Sequence, residues 1–266
     1  MSADQALLER IAGELAAAAA TRTPVPPPAT TYPGLSPEDA YAVAAVGIAR
    51  RRAAGARLVG HKIGLTSAAM QQMLGVDQPD YGALLDDMGV ADGGSTSPAR
   101  WCQPRIEPEV AFRLRTRLAG PGLGIEEVLA ATEAVAPALE IIDSRVADWA
   151  ITWWDTVADN ASSAAFVVGP WTPVGDAGDL AALDVTLAVD GEVVQEGSTA
   201  AVLGHPATAV AWLAEALAGH GAALEPGAVV LSGSCTRAVD VRPGTRVTAT
   251  VGGLGRAAVD FDREDA

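Results

Sequence analysis

Three carboxylates lie where a soluble chain ordinarily places apolar side chains. Glu107 and Glu109 fall in Arg105-Ile106-Glu107-Pro108-Glu109-Val110-Ala111-Phe112, and Glu140 falls in Ala138-Leu139-Glu140-Ile141-Ile142. The β-branched and aromatic residues around them read as strands. Side chains two apart on a strand point to one face, so Glu107 and Glu109 project into the same space. An ionised carboxylate among branched apolar residues is costly unless something neutralises it. Two sources of positive charge are open. Arg105, Arg113 and Arg115 are near enough in sequence to pair with the acids. Alternatively, three oxygen ligands without clustered His or Cys suit a hard divalent cation, Mg²⁺ or Mn²⁺. A Glu-x-Glu pair taken alone is more commonly a solvated strand face.

Composition narrows the class. At 266 residues, with 49% hydrophobic and 19% charged, the chain suits one large globular domain or a small domain attached to a larger one. The formal net charge of −15 excludes nucleic acid and anionic membrane surfaces as partners. An anionic substrate would then need local positive charge, which a metal and a nearby Lys could supply. No apolar run is expected to cross a bilayer, and residues 16–20 lack the basic flank of a signal peptide. Cys102 and Cys235 have no metal-site spacing, so a reducing cytoplasm is the expected location.

Along the chain, residues 4–19 carry an apolar stripe of Leu7, Leu8, Ile11 and Leu15 and predict an amphipathic helix. Residues 21–33, rich in Pro and Thr, predict an extended connector. Ser36-Pro37-Glu38-Asp39 supplies an N-cap, a first-turn proline and acids for a helix reaching about Ala54. Strand signals follow at 58–65, 105–114 and 135–143, with short helices at 68–74 and 125–133. A hairpin spans 184–196 around Asp190-Gly191. A helix opens at His205-Pro206, and strands at 228–233 and 246–261 complete the chain, the latter folded at 252–255. Without regular βαβ alternation, a mixed, mainly antiparallel α+β architecture is expected.

Lys62, in Val59-Gly60-His61-Lys62-Ile63-Gly64, reads either as a solvated strand lysine or as a charge held near a metal and an anionic substrate. Gly64 could bring backbone amides close to an oxyanion. Residues 75–82 form a polar loop that could fold Asp80 over a site as a general acid or base. Residues 159–163 are a turn or cap, or a substrate-contacting loop. Trp149, Trp153 and Trp154 suit a core or interface. There is no P-loop, no Gly-x-Ser-x-Gly and no His-Glu-x-x-His.

Six collinear stretches, GHKIGLTS (60–67), QQMLGVDQPDYG (71–82), PRIEPEVAF (104–112), PALEIIDSR (137–145), DTVADNASS (155–163) and LGHP (203–206), closely resemble the 2-hydroxypenta-2,4-dienoate hydratases. These 2-oxopent-4-enoate hydratases belong to the hydratase and decarboxylase branch of the fumarylacetoacetate hydrolase superfamily. The resemblance implies a mainly antiparallel β-roll of the fumarylacetoacetate hydrolase C-terminal type over 58–266, behind a helical subdomain at 1–57. It implies Mg²⁺ or Mn²⁺ on Glu107, Glu109 and Glu140, and catalytic roles for Lys62 and, from a lid loop, Asp80. It also implies substrate contacts at Gly64, Leu65, Thr66 and Ser162. Family members are homo-oligomers, typically pentamers paired into decamers, and can associate with a pathway partner enzyme. The implied activity is hydration of 2-hydroxypenta-2,4-dienoate in meta-cleavage catabolism of aromatic compounds. 4-Oxalocrotonate decarboxylation, hydration of a longer diacid and a non-catalytic scaffold role are the alternatives, with Arg237 a candidate for holding a second carboxylate.

Overall fold

The structure, a computed structural model, describes residues 4–263. Three helices open the chain. α1 (Gln5–Thr21) starts where the Asp4 carboxylate accepts from the Ala6 N–H, and it buries Leu8, Ile11 and Leu15. α2 (Pro28–Thr31) is a single turn inside the stretch expected to be extended. Pro28 presets its first φ, and Asp155, far along the chain, accepts from the Ala29 N–H at 2.8 Å. α3 (Pro37–Ala53) begins with a reciprocal capping box between Ser36 and Asp39.

Beyond them come β1 (Leu58–Gly64), α4 (Ala68–Leu74), β2 (Asp80–Leu85), β3 (Gly89–Val90), β4 (Ser95–Thr96), β5 (Arg105–Leu114), α5 (Ile125–Ala131) and β6 (Thr132–Ile142). The chain continues through α6 (Trp153–Ala158), β7 (Ser163–Val168), β8 (Thr172–Pro173), β9 (Asp184–Val189), β10 (Glu192–Ser198) and α7 (Pro206–Gly219). It ends with β11 (Val229–Ser234), β12 (Val239–Asp240), β13 (Arg246–Val251) and β14 (Gly255–Phe261). α5 stops two residues before the expected boundary. Thr132, β-branched and extended, turns its hydroxyl back to the Val128 carbonyl and hands the chain to β6.

The larger sheet runs β2-β1-β11-β5-β6-β7-β3, with β12 added to β5 and β8 to β6. The smaller runs β10-β9-β13-β14-β4. β1–β11, β3–β7 and β4–β14 pair in parallel, and the other pairings are antiparallel. This is the mainly antiparallel α+β class expected. Ile106, Leu139, Ile141 and Val167 of the large sheet meet Leu187, Val247, Ala249 and Val259 of the small one, forming the core between the sheets.

α6 carries Trp153, Trp154 and Val157 from mid-chain into a cluster with Leu8, Ile11 and Val43, so the opening helices pack directly on the segment preceding β7. α7 packs Val210, Leu213 and Leu217 against Val110, Phe112 and Val230. The stretch Thr199–Gly219 reaches the length and hydropathy of a membrane span, contrary to the sequence expectation, but half of it is buried in the protein. Its apolar face is satisfied by the core.

Gly60 sits where β1 crosses β11. A methyl group there would lie 1.7 Å from the Val229 carbonyl oxygen. We expect Gly60→Ala to pry these strands apart and cost about 2 kcal/mol or more, read as a lowered urea midpoint.

Candidate metal centre

β5 and β6 pair with Glu107 directly opposite Glu140 and Glu109 opposite Ala138. Strand alternation places Glu107, Glu109 and Ala111 on the same face as Ala136, Ala138 and Glu140, while Ile106, Leu139 and Ile141 point into the core between the sheets. Like charges directly opposed across a strand pair repel, so this register calls for neutralisation by protons or by a cation. One oxygen from each of Glu107, Glu109 and Glu140 lies within 4.8 Å of the others. Glu109 and Glu140 are fully buried, and Glu107 keeps some exposure.

The protein supplies only part of what these groups need. Glu109 Oε2 accepts from the Gly233 N–H at 2.6 Å, and the Ser234 hydroxyl lies against Glu107. Lys62 Nζ stands 3.3 Å from Glu140 Oε2, an ion pair without hydrogen-bond geometry. Among the described residues, Glu109 Oε1 and both Glu140 oxygens have no hydrogen-bond partner. Buried acceptors left unpaired are expensive, and converging carboxylate oxygens are the donor set of a hard divalent cation. The neighbouring arginines face elsewhere. Arg105 pairs with Asp240, Arg113 with Glu133, and Arg115 donates to the Ala130 carbonyl.

The charge balance is visible in the proton affinities. Burial, then Glu140, pushes Glu107 up to about 7, and burial with the same neighbours raises Glu109 well above the ordinary carboxylate range. Burial opposes charge on Lys62, but Glu140, Asp80, Glu107 and Glu109 outweigh it and hold the ammonium firmly protonated. Burial raises Asp80, while Lys62 and the Gly64 backbone counter part of that rise.

Asp80 is not in a loop. It opens β2, buried, paired with Gly64 on β1. The turn residues Asp77, Gln78 and Pro79 precede it, but β1 captures the chain from Asp80 onward. A Cβ on Gly64 would lie 2.2 Å from Asp80 Oδ1 and 3.3 Å from Lys62 Nζ, so the missing side chain leaves room for both groups above β1. Leu65 follows with φ +56°, and its carbonyl accepts from Gln71. Thr66 is buried against Gly233, the same residue whose N–H holds Glu109.

Ser162 is buried, its Oγ 3.1 Å from that of Thr156, on the turn between α6 and β7. Arg237 is exposed and, among the described residues, makes no ion pair. His61 alternates with Lys62 along β1, and burial lowers it to about 4. Sequence reading missed Gly233 and also Tyr41 of α3, which stacks on Tyr81 at 4.5 Å and takes the Tyr81 backbone as hydrogen-bond partner. Nothing in the spacing of Tyr41 marked it. Its neighbours come from a strand distant in sequence.

Residues 77–261 match the family model for the fumarylacetoacetate (FAA) hydrolase C-terminal domain. The chain is 44% identical over 232 residues to a 2-hydroxyhexa-2,4-dienoate hydratase of Comamonas testosteroni, covering 86% of this chain and 88% of the relative. It is 42% identical over 255 residues to a 2-keto-4-pentenoate hydratase of Paraburkholderia xenovorans (strain LB400), covering 96% and 94%. Among solved structures it resembles 4-oxalocrotonate decarboxylase from Pseudomonas putida G7, complexed with magnesium and adipate, at a TM-score of 0.95 and 35% identity over 98% of this chain and 99% of that one.

Glu140→Gln is expected to weaken Mg²⁺ binding by about tenfold or more in calorimetric titration, because it removes the negative charge and replaces one of the two carboxylate oxygens with an amide NH2. A pH dependence follows from Glu107. Between the ordinary value of 4.5 and about 7, the metal-free folded chain holds a proton that the unfolded chain has released. Metal-free stability therefore falls as pH rises through that window. Added Mg²⁺, which displaces the proton, is expected to raise the melting temperature much more at pH 8 than at pH 5.

Proposed function

The chain belongs to the fumarylacetoacetate hydrolase family, and from that membership we propose that it is a metal-dependent hydro-lyase. Its reaction is addition of water to 2-hydroxypenta-2,4-dienoate, giving 4-hydroxy-2-oxopentanoate in the meta-cleavage catabolism of aromatic compounds. The hydratase names of the relatives at 42% and 44% identity support the reaction class. The observation that carries the proposal is the set of buried oxygens, Glu109 Oε1 and both of Glu140, that lack hydrogen-bond partners among the described residues, beside Lys62.

Glu107, Glu109 and Glu140 would hold Mg²⁺ or Mn²⁺, which when bound acts as a Lewis acid and template for the C2 oxygen and carboxylate of the substrate. The residues of the chain do the rest. Lys62, kept cationic by four carboxylates, offsets negative charge that develops when the enol proton leaves. Asp80, whose burial favours the protonated form, can carry that proton toward C5, leaving a ketone conjugated with the C3–C4 double bond. Water then adds its oxygen at C4 and a proton at C3. Gly64, Leu65, Thr66 and Ser162 would line the substrate, with Ser162 toward its polar end. Arg145 is the nearest other buried cation to this segment, but Asp159 and Asp143 fully engage it. That leaves Lys62 as the cation for a single carboxylate substrate.

The reading extends to a cytoplasmic homo-oligomer that could associate with a pathway partner enzyme. Val193 and Val194, exposed on the edge strand β10, support the homo-oligomer as apolar surface available to a second copy. Sedimentation velocity is expected to show a species several times heavier than the 27.0 kDa chain.

The deciding experiment follows loss of freshly generated 2-hydroxypenta-2,4-dienoate with Mg²⁺ or Mn²⁺, with and without chelator. CO₂ release from 4-oxalocrotonate is measured in parallel. Chelator-sensitive consumption of the dienoate with no CO₂ is the expected result. CO₂ release would instead place the chain with the decarboxylase that its fold closely resembles. In the same assay, Lys62→Met is expected to lower kcat by about a hundredfold or more.

A further inference from the structure

Asn160, Ala161 and Ser162 form three successive residues with left-handed backbone, at φ +56°, +50° and +55°. None is glycine; Asn160 tolerates this region, whereas Ala161 and Ser162 each cost roughly 1–2 kcal/mol relative to right-handed backbone. A strained run like this persists only where its surroundings over-determine it, and such runs concentrate at functional sites.

Its two ends are fixed in different ways. At the C-terminal end, Ser162 passes its carbonyl to the Asp143 N–H at 2.8 Å, and its hydroxyl meets Thr156. Arg145, buried, donates to Asp159 Oδ1 at 2.6 Å and to the Asp159 carbonyl at 2.7 Å, which anchors the entry to the turn. At the N-terminal end the Asn160 side chain reaches 77 residues back to β2. Its Oδ1 accepts from the Ala83 N–H at 2.8 Å, and its Nδ2 donates to the Ala83 carbonyl at 3.0 Å. β2 is an edge strand, so Asn160 fills the open side of the Ala83 peptide as another strand would.

The contact is shaped from both sides. Gly82 lies under the turn, and a Cβ there would be 2.4 Å from the Asn160 carbonyl oxygen. The strand that receives Asn160 is the one that carries Asp80, and the turn that supplies it carries Ser162.

We propose that Asn160 is a positioning residue that clamps the Asp80 strand to the Ser162 turn and so sets the spacing of these two groups across the substrate. It touches neither substrate nor metal. Any other side chain loses one or both bonds to Ala83, and most also oppose the positive φ. Loss of the clamp frees the β2 edge while leaving Glu107, Glu109 and Glu140, on β5 and β6, undisturbed.

The test uses Asn160→Gly, which keeps the left-handed backbone available and removes only the clamp, together with Gly82→Ala and the double variant. Amide hydrogen exchange over residues 80–85 is expected to rise by about tenfold in Asn160→Gly, with the rest of the chain unchanged. Mg²⁺ affinity should stay within about twofold, because the carboxylates do not depend on this contact. In the hydratase assay, kcat should fall by about tenfold or more with a much smaller change in KM, since displacements near 1 Å at reacting groups are that costly. The double variant should lose no more than the worse single variant, because both changes part the same turn from the same stretch of β2.

Unchanged exchange over 80–85 would overturn the clamp itself. Loosened exchange with kcat unaltered would reduce Asn160 to a covering of the sheet edge, and multiplicative losses would mean that the two residues act separately. The kcat arm rests on the hydratase reading, whereas the exchange arm does not. If the wild type shows no hydration, the proposed activity fails while the exchange result still judges the clamp.

Discussion

The register of β5 against β6 sets Glu107 face to face with Glu140, and the surrounding structure is arranged around the charge this creates. Glu109 adds a third carboxylate on the same face, with Lys62 the nearest buried cation. A hydrophobic core could have been built more cheaply at these positions, since buried charge without full compensation lowers stability. Small residues, Ala111, Ala136 and Ala138, continue that face, where Leu84, Leu85, Phe166 and Leu231 pack over them. Under the proposed function, a divalent cation bound by these carboxylates would offset that imbalance.

The supporting elements follow from that demand. β11 returns beside β5 so that Gly233 can aim its N–H at Glu109, and its own lack of a side chain admits Thr66. β1 lies beside β11 and brings Lys62 across, while β2 on its far side contributes Asp80. Each glycine at these crossings, Gly64 and Gly233, marks a place where two functional groups approach through space that a methyl group would occupy. The opening helices contribute through Tyr41, whose stack on Tyr81 covers the start of β2. Buried Arg145 fixes the Asp159 end of the left-handed turn.

Much of the secondary structure was legible because it depended on local chemistry. The Ser36-Pro37-Glu38-Asp39 cap, the Asp190-Gly191 hairpin, and the 68–74 span of α4 appear where the sequence places them. These features need neighbours only a few residues away. The exceptions were elements whose form was decided by distant partners. β2 looked like a loop because Pro79 and Asp80 are turn residues, yet pairing with β1 outweighs that preference. α2 interrupts a Pro-rich connector because Asp155 meets its first turn.

For the candidate site, the sequence by itself determined the ingredients. Alternation along β5 set Glu107 and Glu109 on one face, and a lone Glu140 within an apolar strand required neutralisation. Periodicity is a property of the covalent backbone, so it survives without knowledge of the fold. Only the tertiary structure decided which cation answered that requirement. It turned Arg105 and Arg113 outward to Asp240 and Glu133, and brought Lys62 in from β1. It also joined Asn160 to Ala83 across 77 residues, a contact no spacing rule encodes. Strand order and register are settled by long-range packing, and those two choices assembled the site.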